Sequence, residues 1–492
     1  MSASAVVSAA SADLGGVAVD TAPATRPAPP GLFAGLGLYG LRPIEVPLLA
    51  ALLTEQPLLL IGPHGTAKSL LLTRVAAALG LESRHYNASL LNFDDLVGFP
   101  VPGADRSLEY LRTPAAIWGA GAVIFDEISR CRPDVQNKLF PIIHERKVQG
   151  LPIDGLRYRW AAMNPPSVGN DDGAYAGDYA GSEPLDRALA DRFAFVVQMP
   201  SWAEFSPTEK LAVIQSRDRL YGPQDAGLLE EYLLLARAIL GELEKECACA
   251  TADYVYAVMP LLAQAKLELS PRRANLLFQA VLAVHASALA MQPDAKFGDS
   301  ALIALRSCLP HRAEGIVLPE VKLLTAHREA IRSVSLSPHD PLRAILATAH
   351  PLERLKLAVR ATRLPKGEFS RVVADSLAQL PVGAREAVVV HLFETGAIGR
   401  LNAAVASQLG ESYRDMATPA DFSEAIHASH ARYRTWVRLK DLLARLNPAD
   451  PRAHLQANAL ASLFARKELH TPEEAECAFL AFGETDERVR QP

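Results

Sequence analysis

Cysteine is scarce in this chain: there are five in 492 residues, Cys131, Cys247, Cys249, Cys308 and Cys477. Their odd number and scatter exclude a disulfide framework, and Cys247-Ala-Cys249 has no matching pair that would complete a zinc site. Reduced thiols in a reducing compartment are expected. Uninterrupted apolar runs of the ~18 residues needed for a membrane span are also lacking. The opening MSASAVVSAASADLGG has no basic residue ahead of its weakly apolar part, which does not fit a secretory leader. A cytoplasmic protein without a membrane span is the expectation. Excess positive charge is missing too, with 50 Lys and Arg against 55 Asp and Glu for a net charge of −5. Nothing global therefore attracts nucleic acid, although a local basic patch is not excluded by the total.

What is present is ordinary globular material, 49% hydrophobic and 21% charged, in a chain long enough for two to four domains. Residues 1–31 are rich in Ala, Ser, Thr and Pro and read as a flexible tail. From 32 to 202, short apolar strands alternate with helical runs, the pattern of a parallel sheet in an α/β fold. The expected strands are Leu58–Ile61, Ser83–Asn87, Ala122–Asp126, Tyr158–Met163 and Phe195–Met199. After Pro200 the strand signal ends. Residues 203–315 read as a helical domain and 316–492 as a further helical region, on three- and four-residue apolar spacing. The longest helix expected in the last region is Phe422–Leu446.

The organising stretch is Pro57–Leu72, PLLLIGPHGTAKSLLL: a buried strand, a Gly- and Pro-containing turn, then Lys68-Ser69 opening an apolar helix. That order is the context a phosphate-binding P-loop requires. The loop Gly62-Pro63-His64-Gly65-Thr66-Ala67-Lys68-Ser69-Leu70 would wrap an anion with backbone N–H groups and a helix N-terminus, and Lys68 adds a full charge. Ser69 would place its hydroxyl on Mg²⁺. Ala67 departs from the usual pattern, which has Gly before the Lys. A methyl there is free of strain if the residue takes helical angles.

Three further segments follow in order. In GAVIFDEISR, Asp126 and Glu127 end a buried strand, where α/β folds place ligands. Asp126 suits Mg²⁺, and Glu127 suits activation of an attacking water. In RYRWAAMNPP, Asn164 ends the next strand and is placed to touch a γ-phosphate or orient water, although an Asn before Pro165-Pro166 is also simple turn chemistry. In EPLDRALADRF, Arg187 and Arg192 are either solvated charges or an arginine finger offered to a neighbouring subunit.

The order GPHGTAKS, AVIFDEISR, AAMNPP, LDRALADRF resembles the AAA+ ATPases, and within them the MoxR branch. The resemblance spans about residues 32–315. It implies an AAA+ P-loop core and an all-α lid, ATP and Mg²⁺ as ligands, and tolerance of Ala67. It further implies Asn164 as sensor 1, Arg192 as the finger with Arg187 as the alternative, and Arg272 of LELSPRRANLLF as sensor 2 with Arg273 as fallback. A homo-oligomeric ring, a hexamer in the family, and a von Willebrand A domain partner are implied in the same way, as is remodelling or assembly of a protein client. Two insertions are expected. One is a helix interrupted by a loop or hairpin centred on Gly98–Leu108, and the other is a hairpin over Lys147–Arg159 turning at or beside Asp154-Gly155.

Residues 316–492 carry no such motif and are read as a docking region. Two basic stretches there, Leu352–Arg371 and Arg432–Lys440, have either a nucleic-acid role or, more simply, a solvated helix face. Two other functional readings are a nucleic-acid-directed motor and a weakly hydrolysing nucleotide-binding scaffold.

Overall fold

The computed structural model describes residues 31–102, 108–111, 113–167, 182–216, 219–337, 339–348, 350–418 and 432–491. The N-terminal stretch expected as a tail lies outside them up to residue 30. The chain divides into two compact units, Met1–Ser335 and Leu336–Pro492.

The first unit is built on a five-stranded sheet. Its strands are β1 (Leu58–Ile61), β2 (Ser83–Asn87), β5 (Ala122–Asp126), β8 (Tyr158–Met163) and β9 (Phe195–Gln198). They lie in the order β2-β5-β8-β1-β9, all parallel. Because side chains alternate along a strand, each central strand feeds two cores. Leu58, Leu60, Ile124, Trp160 and Val197 enter one, while Leu59, Ile61, Val123, Ala161 and Val196 enter the other. Such strands carry no polar alternation, which is why they read as continuous apolar runs.

Helices α1 (Glu45–Thr54) and α2 (Lys68–Ala78) cover the first face. The second face is covered by α3 (Phe93–Val97), α4 (Pro133–Glu145) and α5 (Arg187–Ala190). After α6 (Pro207–Gln215) come the lid helices α7 (Gly227–Glu246), α8 (Ala248–Gln264), α9 (Pro271–Met291), α10 (Phe297–Cys308) and α11 (Glu320–Ser335). They contribute to the first core. Among the described residues, α9 is the one helix long and apolar enough to cross a membrane by length and composition. Here Leu276, Leu277 and Ala280 through Leu289 of α9 are buried within the unit.

Two expectations shift. Leu323, Ala326 and Ala330 of α11 belong to the first core. The first unit therefore runs to Ser335 rather than ending at 315. Both insertions are hairpins, but the second is displaced. Strands β3 (Phe99–Pro102) and β4 (Leu108–Leu111) pair antiparallel, which selects the hairpin of the two alternatives, loop or hairpin. Strands β6 (Lys147–Val148) and β7 (Leu151–Pro152) turn at Gln149-Gly150, not at Asp154-Gly155. Gln149 (φ 48°) and Gly150 (φ 85°) both take positive φ, as the tight type I′ turn demands. Asp154-Gly155 makes a separate turn before β8.

The second unit is helical among its described residues: α12 (Pro341–Ala347), α13 (Pro351–Arg360), α14 (Lys366–Gln379), α15 (Val382–Glu394), α16 (Ala403–Ala417), α17 (Tyr433–Leu443), α18 (Pro451–Ala465) and α19 (Pro472–Arg490). Residues 422–431 of the helix expected from Phe422 lie outside the described residues, and α17 ends at Leu443. Helices α15 and α19 touch backbone to backbone at Gly383, where any Cβ would overlap the Ala478 carbonyl. Much of the basic character here is spent internally. Arg354 donates to the Thr348 carbonyl, Lys356 and Arg371 pair with Glu353 and Glu368, Arg438 pairs with Glu476, and Arg432 lies over Phe464.

Candidate nucleotide site

The P-loop connects the C-terminal end of β1 to α2. Gly65 has φ 78° and Ala67 has φ 60°, ψ 24°, both left-handed. The methyl of Ala67 therefore does not sit in helical angles as expected. It occupies a conformation costing an L-residue roughly 1–2 kcal/mol, and this is why Gly is the usual residue there. The loop stays in place because Thr66 Oγ1 donates to the Pro63 carbonyl (2.8 Å) and the Leu71 N–H donates to the Ala67 carbonyl (2.8 Å). His64, Gly65, Ala67 and Leu70 are exposed, whereas Lys68 is buried.

Lys68 Nζ donates to the Gly62 carbonyl (2.7 Å), the Pro63 carbonyl (2.8 Å) and Asn164 Oδ1 (3.2 Å). Burial pushes its ammonium below the usual lysine range, opposed by the Asp126 and Glu127 carboxylates. Ser69 Oγ donates to Asp126 Oδ2 at 2.5 Å. Asp126 also accepts from the Glu127 N–H (2.9 Å), and His85 Nε2 stands 3.5 Å from the same Oδ2. Burial raises its carboxyl, but the contacts from His85, Ser69 and the Glu127 N–H outweigh this and hold it below the ordinary value. Asn164 is buried at the tip of β8, where its carbonyl accepts from Ser182 Oγ (3.0 Å). Its Nδ2 faces both Glu127 oxygens at 3.3 and 3.4 Å. Lys68, Ser69, Asp126, Glu127 and Asn164, more than 90 residues apart along the chain at the extremes, thus form one contiguous polar group at the C-terminal ends of β1, β5 and β8.

The arginines gather elsewhere. Arg192 lies over the Phe140 ring of α4 (4.4 Å) and donates to the Ala188 carbonyl (2.5 Å). Burial, then the neighbouring Arg272 charge, lowers its proton affinity. Arg272 stands 3.6 Å from Asp191, so these two arginines share one corner at the end of α5. Arg187 is exposed and donates to the Glu268 carbonyl (3.1 Å). Arg273, the alternative to Arg272, is fully buried in a structural network and presents no group to a ligand.

Sequence reasoning passed over His85, Ser182 and Arg130. Arg130 Nε lies 3.2 Å from Glu127 Oε2, three residues along the same turn. Only that spacing hinted at the contact. His85 and Ser182 come from segments whose adjacency the chain order does not reveal.

With this geometry in view, the similarity to known proteins is informative. Residues 57–159 match the family model of the AAA domain, dynein-related subfamily. They belong to an AAA+ P-loop core of the nucleotide-binding class, which is followed by a helical lid and further C-terminal helices. A curated relative is the uncharacterized protein YeaC of Bacillus subtilis strain 168, 27% identical over 312 residues, which covers 60% of this chain and 88% of YeaC. A crystal structure from Cytophaga hutchinsonii, described as a candidate ATPase, shares 19% identity at a TM-score of 0.42 and covers 60% of this chain and 92% of that one.

Proposed function

We propose that this chain is an ATP hydrolase of the MoxR branch of AAA+ proteins. In this reading it works in the cytoplasm as a homo-oligomeric ring, a hexamer by family resemblance, that remodels or assembles a protein partner containing a von Willebrand A domain. The observation that carries the hydrolase reading is Asn164, which joins the P-loop lysine on one side to Glu127 on the other.

Lys68 would meet the β- and γ-phosphates, exchanging part of its present set of carbonyl acceptors for them. Ser69 Oγ and Asp126 Oδ2 form a pair of hard oxygen donors 2.5 Å apart, a set that fits Mg²⁺. When bound there, Mg²⁺ supplies charge neutralisation of the phosphates. Glu127 takes the proton of the attacking water, and the Asn164 amide holds that carboxylate and the water in line. The Nε of Arg192 is buried without a hydrogen-bond partner. This guanidinium shares its corner with Arg272 beside Asp191, and in this reading it serves the nucleotide of a second copy. Exposed Phe99, Leu111 and Leu151 on the two hairpins favour contact with a protein client.

The test is Glu127→Gln in the full chain. Phosphate release should fall by about a hundredfold or more while binding of a fluorescent ATP analogue persists. Normal turnover in this variant would remove Glu127 from its role.

A further inference from the structure

The carboxylate of Glu127 is the group whose direction matters most in this reading, and its own backbone does little to aim it. Glu127 sits just past the strand tip in a left-handed conformation, φ 54° and ψ 37°, and its side chain is 30% exposed. A glutamate with three free torsions loses on the order of 1.5–2 kcal/mol of rotamer entropy when held in one position. Something must therefore hold it. Asn164 approaches at 3.3 and 3.4 Å, the long end of N–H···O distances. The shorter contact, and the one between opposite charges, is the ion pair of Arg130 Nε with Oε2 at 3.2 Å. Glu127 caps the 3₁₀ turn Ile128–Arg130. In that geometry side chains at i and i+3 eclipse one another, so the turn itself stacks the guanidinium beside the carboxylate.

We propose that Arg130 is a positioning residue for Glu127: it fixes Oε2 so that Oε1 is directed across Asn164 toward the phosphate end of Lys68. The inference rests on the hydrolase reading above. Arg130 acts through Glu127 and makes no contact with nucleotide in this scheme.

The experiment compares full-length wild type, Arg130→Ala, Arg130→Lys, Glu127→Gln and the double variant Arg130→Ala/Glu127→Gln, measuring kcat and KM for ATP, analogue binding and thermal unfolding. Arg130→Ala should lose about ten- to a hundredfold in kcat, the scale of a misaligned reacting group. KM, analogue affinity and the unfolding midpoint should stay near wild type, because the Arg130 side chain is 41% exposed. Arg130→Lys, which restores the charge without the fork, should recover part of the loss. In the double variant the Arg130 change should add nothing to Glu127→Gln. A kcat within twofold of wild type, an increased kcat, or a full additive loss in the double variant would each overturn the role. A wild-type protein that releases no phosphate under any condition would instead overturn the hydrolase reading. The two failures are thereby distinct.

Discussion

Arg273 and Asp191 join the lid to the nucleotide-binding core of the first unit. Arg273 is at the start of α9 and Asp191 at the end of α5, with Nε 3.3 Å from Oδ1. The same guanidinium donates to the carbonyls of Phe193 and Cys308 (2.8 Å each) and Ala190 (3.1 Å), and it is fully buried. Ser270 Oγ completes the junction by donating to Asp191 Oδ2 at 2.9 Å.

Removing that guanidinium strands three carbonyls and a half-buried carboxylate. Arg273→Ala should cost about 3–5 kcal/mol, the usual penalty for breaking a buried pair from one side. Arg272→Ala, whose side chain is 41% exposed, should cost no more than about 1 kcal/mol. Urea unfolding midpoints of the two variants check the contrast. Equal losses would mean that Arg273 is not the junction.

Ala67 offers an opposite kind of change. Its φ of 60° favours glycine, so Ala67→Gly should relieve local strain. The greater freedom of glycine in the unfolded chain offsets part of the gain. The expected outcome is a change between zero and about 1 kcal/mol of stabilisation, with ATP affinity equal or tighter. Thermal unfolding with and without nucleotide measures both, and a clear loss of stability would show that the methyl makes a contact worth more than the strain.

Three buried histidines, His285, His311 and His327, make the lid acid-sensitive, and two of them have hydrogen-bonded partners. His285 shares a hydrogen bond with Ser300 (3.0 Å) and His327 shares one with Tyr254 (2.9 Å), both against Phe297 or its ring neighbours. Burial pushes each imidazole from 6.5 down to about 4. Below pH 6.5 the unfolded chain therefore binds more protons than the folded one. Their contribution to stability is full above 6.5 and is lost progressively as pH falls toward 4. Each group accounts for on the order of 3 kcal/mol over the whole window. Unfolding midpoints from pH 6.5 to 5, where ordinary carboxylates are still ionised, should fall with pH. His285→Asn should flatten that slope, and an unchanged slope would show that the residue is solvated.

Much of the site was legible because it is local. The bounds of β1, β5 and β8 coincide with short, largely apolar runs closed by polar or turn residues. The site residues follow directly at the strand ends: Lys68 after β1, Asp126-Glu127 at β5 and Asn164 after β8. The hairpin turn was misplaced because Asp154-Gly155 is the stronger turn dipeptide, whereas the short spacing between β6 and β7 selected Gln149-Gly150. The extent of the first unit was hidden for another reason. The apolar stripe of α11 is the same whether it packs on α8 or begins a new domain.

The amino-acid order by itself determined which groups end the strands, since a buried parallel strand must be apolar and its tip is where polar residues resume. Only the tertiary structure decided the rest: that Asn164 bridges Lys68 to Glu127, that Arg273 is structural while Arg272 and Arg192 share a corner, and that Ala67 is left-handed. Those outcomes depend on through-space distances and backbone angles set by packing, and neighbouring letters in a chain do not encode them.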